Sequence, residues 1–339
     1  MSSPVRCRAR AVFAVLTAAF LAVGVSACTG SAGTPPATEP TISASSASGT
    51  PTPAPSPTEE PTRTKAGDPL TGGKVSGNPV IAVKVENTSA AQPQVGLSQA
   101  DIVFVEEVEG GQTRLVAVYH SRLPTRLGPV RSARTTDAQL LPLFGKPGLV
   151  YSGANARVQR TLDRASLVPV FRLTRDRRRS APHNVFVDLR QVARTEKLGK
   201  AKPIGWTFAD EPSQRGGADD KAVSKVGNDT IGFAYARGRY TVTWRGERYV
   251  DGDDQSVTRA DNAVIMRVRN VPDGNRDVLG SASVLSETVG RGKVTVYRDG
   301  VKIEGSWSRK KSSAPLRFTA ADGRDIALKP GRTWVTLQG

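Results

Sequence analysis

The sequence predicts an α+β protein in which an N-terminal α/β domain with a mixed sheet is followed by a small all-β C-terminal domain. Three observations carry this. Between Val80 and Gly199, short apolar runs alternate with longer helix-like ones, the order expected when helices cover a sheet. Residues 206–230 are polar and rich in Gly, Asp and Ser, the composition of a linker or long loop. Beyond them only short β-rich segments remain, punctuated by Asp299-Gly300 and Asp322-Gly323, pairs that suit tight hairpins.

In chain order, Val80 to Val85, Ile102 to Val108 and Leu115 to Tyr119 are apolar runs of strand length. Gly110-Gly111 can make the turn between the last two, so Arg114 opens the returning strand on the face of Val116, Val118 and His120. A helix is expected from about Ser132 to Phe144, with Ser132 as its N-cap. Leu149 to Ser152 and Val168 to Leu173 read as strands, and Ala154 to Ala165 and Asp188 to Leu198 as helices. In the second domain the expected strands are Tyr240 to Trp244, Ala263 to Val268, Lys293 to Arg298, Val301 to Trp307, Leu316 to Thr319, Ile326 to Leu328 and Trp334 to Leu337. The expected boundaries are 78–205 for the α/β domain, 206–225 for the linker and 226–339 for the β-rich domain.

The start of the chain fixes the compartment. Arg6, Arg8 and Arg10 precede an uncharged apolar stretch from Ala11 to Val25, and small residues lead to Cys28, the layout of a secretory signal over residues 1–27. The stretch falls short of the roughly 20 apolar residues of a spanning helix. Val25-Ser26-Ala27-Cys28 resembles the lipobox of bacterial lipoproteins, which implies fatty acylation (palmitate and its kin) of Cys28 and an extracytoplasmic protein anchored to the cell membrane. A plain secretory signal cut near Ala27 is the alternative. Two acyl chains hold a protein durably where one does not. The only other cysteine, Cys7, lies within the signal, so no disulfide is available and stability must come from core packing. Of the 36 residues from Thr29 to Thr64, 31 are Pro, Ser, Thr, Ala or Gly. Such a segment cannot bury a core, and residues 28–77 are expected to form a disordered tether.

The net charge of +17 is uneven: +11 falls in residues 65–205 and +5 in residues 206–339. A basic field favours anionic partners without naming them. For an exported chain these are phospholipid headgroups or anionic wall polymers, and nucleic acid is not expected.

The densest polar constellation runs from Glu106 to Asp137. It holds Glu106, Glu107 and Glu109 before the glycine turn, then Thr113 and Arg114, His120 at the far end of the strand, and Gly128-Pro129-Val130-Arg131-Ser132-Ala133-Arg134 before Asp137. A helix start flanked by Arg131 and Arg134 suits phosphate or carboxylate, because free N–H groups and guanidinium forks both favour anions. Against this, Arg134 and Asp137 are spaced for an intrahelical ion pair. Pro182-His183-Asn184 follows five arginines in eight positions, and His183 and Asn184 are polar residues set directly before the apolar Val185-Phe186-Val187. The ligand-binding candidates are therefore Thr113, Arg114, Arg131, Arg134, His183 and Asn184. An enzymatic alternative uses Glu106, Glu109 or Asp137 as acid or base, with His120 or His183 assisting, on an envelope glycan or peptide. Two histidines without metal-ligand spacing argue against zinc. Asp251, Asp253 and Asp254 begin like a calcium loop that Ser256 and Asn262 do not complete. No metal or cofactor is expected.

Several of these segments together resemble the YerB-like family of bacterial lipoproteins. They are Ile81-Ala82-Val83-Lys84-Val85-Glu86-Asn87, Gln92-Pro93-Gln94, Ala100-Asp101-Ile102-Val103, Glu109-Gly110-Gly111 with Thr113-Arg114, the 128–134 run, and Pro182-His183-Asn184. Tyr297-Arg298-Asp299-Gly300, Gly305-Ser306-Trp307 and Pro330-Gly331-Arg332-Thr333-Trp334 continue the match. The resemblance spans about Asn78 to Leu337 and implies two domains that meet near residues 206–225. It marks Glu109, Thr113, Arg114, Arg131, Arg134, His183 and Asn184 as motif positions and assigns none of them a role.

Overall fold

Two strands buried along their whole length, Ile81–Asn87 and Thr113–Tyr119, set the architecture, since an apolar run without alternation belongs to a strand covered on both faces. The computed structural model describes residues 67–339 apart from 215, 278 and 279. The signal, Cys28 and the low-complexity stretch lie outside the described residues.

The N-terminal half holds β1 (Ile81–Asn87), β2 (Ile102–Glu107), β3 (Thr113–Tyr119), α1 (Thr135–Leu140), β4 (Gly148–Val150), α2 (Ala156–Asp163) and β5 (Val168–Val170). The small pair β6 (Thr174–Arg175) and β7 (Val185–Phe186) and the helix α3 (Leu189–Thr195) complete it. The C-terminal half is built of strands: β8 (Gly217–Ala218), β9 (Lys221–Val226), β10 (Asp229–Ala236), β11 (Arg239–Trp244), β12 (Glu247–Arg248), β13 (Arg259–Ala260) and β14 (Asn262–Arg267). After them come β15 (Asn270–Arg276), β16 (Ala282–Ser286), β17 (Gly290–Arg298), β18 (Val301–Arg309), β19 (Arg317–Ala320) and β20 (Thr333–Gln338). A mixed sheet followed by an all-β half is the architecture the sequence predicts.

The main sheet runs β19-β18-β17-β14-β20-β2-β3-β1-β4-β5, with β8 added at β18. The last strand of the chain is its joint. β20 lies parallel to β14, with Val335 opposite Val264, and parallel to β2, with Val335 opposite Phe104. On one face Leu140, Leu141, Phe144, Val158 and Leu162, from α1 and α2 and the turn after α1, pack on Ala82, Phe104, Val116 and Val118. On the other, a separate five-stranded sheet of β9 to β13 brings Val226, Ile231, Phe233 and Val242 into the cluster of Val83, Val85, Val103 and Leu115, together with Leu189 and Val192 of α3.

Four local expectations change. Helix α1 begins at Thr135 with Arg134, not Ser132, at its N-cap, and passes into a 3-10 turn at Leu141–Phe144, where Pro142 has no N–H to continue an α-helix. The polar 206–225 stretch contains β8 and most of β9. In β9, Ala222, Ser224 and Val226 are buried while Lys221, Val223 and Lys225 are exposed, so one small and one polar inward residue hide the period of two. Ile326 to Leu328 makes a single backbone bridge, Leu328 with Phe208, in place of a strand. The head also starts before residue 78: Leu70 is in the core, and the Asp68 carboxylate accepts from the N–H groups of Leu70 and Thr71 at 3.0 and 3.1 Å. The Asp299-Gly300 hairpin forms as expected, with φ of 52° and 72°.

Trp334 on β20 is 2% exposed and packs on Tyr249 with ring centroids 5.3 Å apart, which ties the joint strand to the second sheet. Trp334→Ala should lower stability by about 3–5 kcal/mol, read from urea denaturation, and both halves should lose structure in one shared transition. Two separated transitions in the wild type would show that β20 does not couple them.

Candidate functional site

Strands β1 and β2 both pair antiparallel with β3, so they point the same way and end at the same edge of the sheet. The register places Glu86 opposite Arg114 and Arg114 opposite Glu106. Three charged side chains thus form one row, with Lys84 on the same face two residues back. This face is covered by α1, and each charge must find a partner there because leaving one unpaired away from water is costly.

The innermost group is Lys84, Glu106 and Asp137, whose side chains have no exposed surface. Lys84 Nζ forms an ion pair with Glu106 Oε1 and lies 3.0 Å from Asp137 Oδ1. Asp137 Oδ2 accepts from the Arg134 backbone N–H at 2.7 Å, which satisfies a donor at the start of α1. Burial pushes the Glu106 carboxyl up from 4.5 to about 7; Asp137 adds to the shift, while Lys84 and Arg134 oppose it.

Around this core lie the arginines. Arg134 donates from Nε and Nη2 to Glu109 Oε2 at 2.9 and 2.7 Å. Glu86 is shared by three donors: Thr88 Oγ1 at 3.0 Å, His183 Nδ1 at 2.9 Å and Arg131 Nε at 3.3 Å. Arg114 is 5% exposed and donates from Nη1 to the Thr113 carbonyl at 2.9 Å, while its Nε has no acceptor among the described residues. No carboxylate lies within ion-pair distance of it among the described residues. Burial lowers its guanidinium to about 10, opposed by Glu86 and reinforced by Arg131 and Arg134. Arg131 opens outward into a cleft of about 260 Å³ shared with Ser132, Ser152, Thr174 and Arg175.

Of the residues singled out in the sequence, the structure gathers Arg114, Arg131, Arg134 and His183 with Glu106, Glu109 and Asp137. Thr113 is elsewhere. By strand alternation it faces away from Arg114, its hydroxyl accepting from Asn87 Nδ2 at 2.7 Å and donating to Asp229 Oδ2. Asn184 sits on an exposed loop, its Oδ1 accepting from Arg175 Nη1 at 3.1 Å. His120 follows the opposite end of β3, about 20 Å from Arg114 at the usual strand rise, and its Nε2 is 3.0 Å from Asp68 Oδ2. The four carboxylate and histidine candidates of the enzymatic alternative therefore do not meet in an open site: Glu106 and Asp137 are enclosed, Glu109 holds Arg134, and His120 is remote. Sequence reasoning passed over Lys84 and Glu86 as site residues. Their signal was two charges spaced by two within an otherwise apolar strand.

A doubly covered mixed sheet, charged at its carboxyl edge and closed by an all-β half through the last strand, defines a two-part α+β head. Ligands of open α/β sheets also gather at that edge. The chain belongs to the DUF3048 family: residues 66–202 match the model described as "Protein of unknown function (DUF3048) N-terminal domain", and residues 222–335 match that of its C-terminal domain. It is 26% identical over 300 residues to YerB of Bacillus subtilis (strain 168), which carries a provisional lipoprotein designation; the alignment covers 81% of this chain and 87% of YerB. The crystal structure of the YerB protein from Bacillus subtilis has the same fold, with a TM-score of 0.67 over 80% of this chain and 96% of that one at 23% identity.

Because the folded-state value of Glu106 lies above its ordinary one, its contribution to stability is fully present below about pH 4.5 and is lost as the pH rises through about 7. Relative to Glu106→Gln, the wild type should lose on the order of 3 kcal/mol across that window, measured by chemical denaturation at stepped pH; parallel curves would refute the shift. Lys84→Met leaves two carboxyls buried without their cation and should destabilise by about 3–5 kcal/mol, less at acid pH, where Glu106 is protonated.

Proposed function

We propose that the chain is a lipoprotein held to the outer face of the cell membrane through Cys28, and that its head binds an anionic group of the envelope in the Arg131 cleft. The lipoprotein reading rests on the export signal, the lipobox-like Val25 to Cys28 and the designation of YerB. The anion reading rests on one observation: positive charge at the cleft exceeds its local neutralisation. Arg131 has a single 3.3 Å contact with a carboxylate that also serves His183 and Thr88. Arg175, on the cleft wall, has no acidic partner among the described residues and bonds to Asn184. Arg114 stands behind them with no ion pair among the described residues. Two guanidinium groups with Ser132 and Ser152 offer charged forks and neutral hydroxyls, the donors that phosphate or carboxylate oxygens take up.

The ligand would be a phosphate of a lipid headgroup or of a phosphate-bearing wall polymer. Glycerol 3-phosphate carries the chemistry common to both. Its affinity for the full chain, measured by calorimetry, should fall at least tenfold in Arg131→Ala and in Arg175→Ala, and should weaken as salt is raised. Unchanged affinity in both variants would end the proposal. Retention on phosphatidylglycerol vesicles against retention on purified walls then separates the two sources. Cys28→Ala should release the protein from the membrane fraction; a variant that stays there as fully as the wild type would refute acyl anchoring.

A further inference from the structure

A cleft of about 780 Å³ opens between α1, the end of α2, the end of β16 and the 310–313 loop that leaves β18, and it shares no lining residue with the Arg131 cleft. Three cations line it, Arg164, Lys310 and Lys311, all of them exposed, and among the described residues no acid does. None of the three has an ion pair among the described residues. The acids that adjoin the lining are engaged by other groups. Asp273 accepts from Thr135 Oγ1 at 2.7 Å, Ser283 Oγ at 3.1 Å and the Asn275 N–H at 2.8 Å. Glu287 is held by Arg269 at 2.7 and 3.0 Å, and Asp163 accepts from Gln159 Nε2 at 2.8 Å.

Behind these cations stands a fourth. Arg309 is 1% exposed, with no carboxylate at ion-pair distance among the described residues. Its Nη2 donates to the carbonyls of Leu140, at 3.0 Å, and Ser312, and its Nη1 to Thr288 Oγ1 at 3.2 Å. The buried guanidinium thereby ties the end of α1, the turn after β16 and the lysine loop together. Burial lowers it to about 10, so it stays charged at neutral pH, and salt screens an enclosed charge less than an exposed one. The rest of the lining is apolar or already bonded. Ala138, Pro142, Ala165, Leu285 and Val289 offer hydrocarbon, while Thr161 and Ser166 donate to the Arg157 and Gly145 carbonyls at 3.1 and 2.9 Å. Gln139 Oε1 accepts from the Thr288 and Val289 N–H groups at 2.6 and 3.1 Å. What remains is positive charge, with the Ser312 and Ser313 hydroxyls, set against hydrocarbon.

We propose that this cleft takes up the phosphate monoester head and first methylenes of an anionic lipid. Three cations exceed what one carboxylate neutralises, whereas a phosphate monoester brings a charge of about −1.5 to −2 and three acceptor oxygens. The volume is within the range of ligand clefts, and the apolar residues add a preference for an attached chain. The site is independent of the Arg131 reading, since it uses none of its residues. The test places the full chain in phosphatidylcholine nanodiscs, with empty discs as the blank, in an Arg131→Ala background so that the first cleft does not contribute. Hexyl phosphate, followed by calorimetry, should bind saturably and at least tenfold more tightly than inorganic phosphate, a ratio that about two buried methylenes supply. It should exceed hexanol and hexanoate by as much. The double variant Lys310→Ala, Lys311→Ala and the single variant Arg164→Ala should each weaken it at least tenfold with unchanged circular dichroism, these side chains being exposed. Two competitors separate the sources: phosphatidic acid built into the disc competes if the lipid is taken from the bilayer, and soluble dihexanoyl phosphatidic acid alone competes if it is taken free of it. The proposal is overturned by no saturable binding, by inorganic phosphate, hexanol or hexanoate binding as tightly, by full affinity in either folded variant, or by competition from neither lipid.

Discussion

Coverage of the central sheet on both faces is the constraint on which the rest of the structure depends. It accounts for the unbroken burial of β1 and β3, and it means that a charge placed on either strand cannot reach water by pointing outward. Lys84, Glu86, Glu106 and Arg114 all stand on such strands. Each is therefore resolved inside the protein: Lys84 against Glu106 and Asp137, Glu86 against three donors, Arg114 by a carbonyl. Buried ion pairs of this kind are weak evidence for added stability, because desolvation offsets the attraction. Their effect is positional. Asp137 is fixed between Lys84 and the N–H of Arg134, the N-cap of α1, so the buried cation helps set where the helix starts and hence where Arg131 and Arg134 stand.

The same sheet explains why the two halves work as one head. β20 supplies backbone pairing across the joint, and polar contacts accompany it. Thr113 meets Asp229, Asn87 meets Tyr249, and the Gly96 N–H donates to Asp251 Oδ2 at 2.6 Å. The Asp251 to Asp254 stretch that looks like an unfinished calcium loop is a structural tie between the halves. Asn87, with its side chain on one face, and Glu86, on the other, put the end of β1 between Tyr249 of the C-terminal half and the charges around Arg131.

Much of the architecture was legible because it depends on local pattern. The apolar runs of β1 to β3, the glycine turn before Arg114 and the Asp299-Gly300 hairpin needed no tertiary information. What failed depended on partners distant in sequence. β9 was hidden because Ser224 faces inward, where its hydroxyl accepts from Thr336 Oγ1 at 2.7 Å, so the inward set is not uniformly apolar. Leu70 looked like part of the tether because its core lies in residues that follow much later. At the charged cluster, the sequence showed that arginines and acids were dense between Glu106 and Asp137, but not which would pair. His120 shares a face with Arg114 by alternation, but six residues of strand rise put it about 20 Å away, a separation already readable from the spacing.

The three motif arginines show why density of charge is a poor guide to a site. Arg134 is bidentate on Glu109, so its field is largely cancelled and its forks are occupied. Arg114 is nearly enclosed and its Nε lacks an acceptor among the described residues, so its charge is screened little and repels Arg131 and Arg134. Arg131 alone combines a partly exposed guanidinium with a loose carboxylate contact and an open cleft. An anion entering that cleft would meet one available fork and feel an unpaired buried charge behind it, while Glu86 remained tied to Thr88 and His183. Exchange of Arg131 from Glu86 to an incoming anion leaves Glu86 with two hydrogen-bond partners, Thr88 and His183. That asymmetry, more than the overall basic balance of the head, is what makes the edge of β1 suited to taking up and releasing an anionic group.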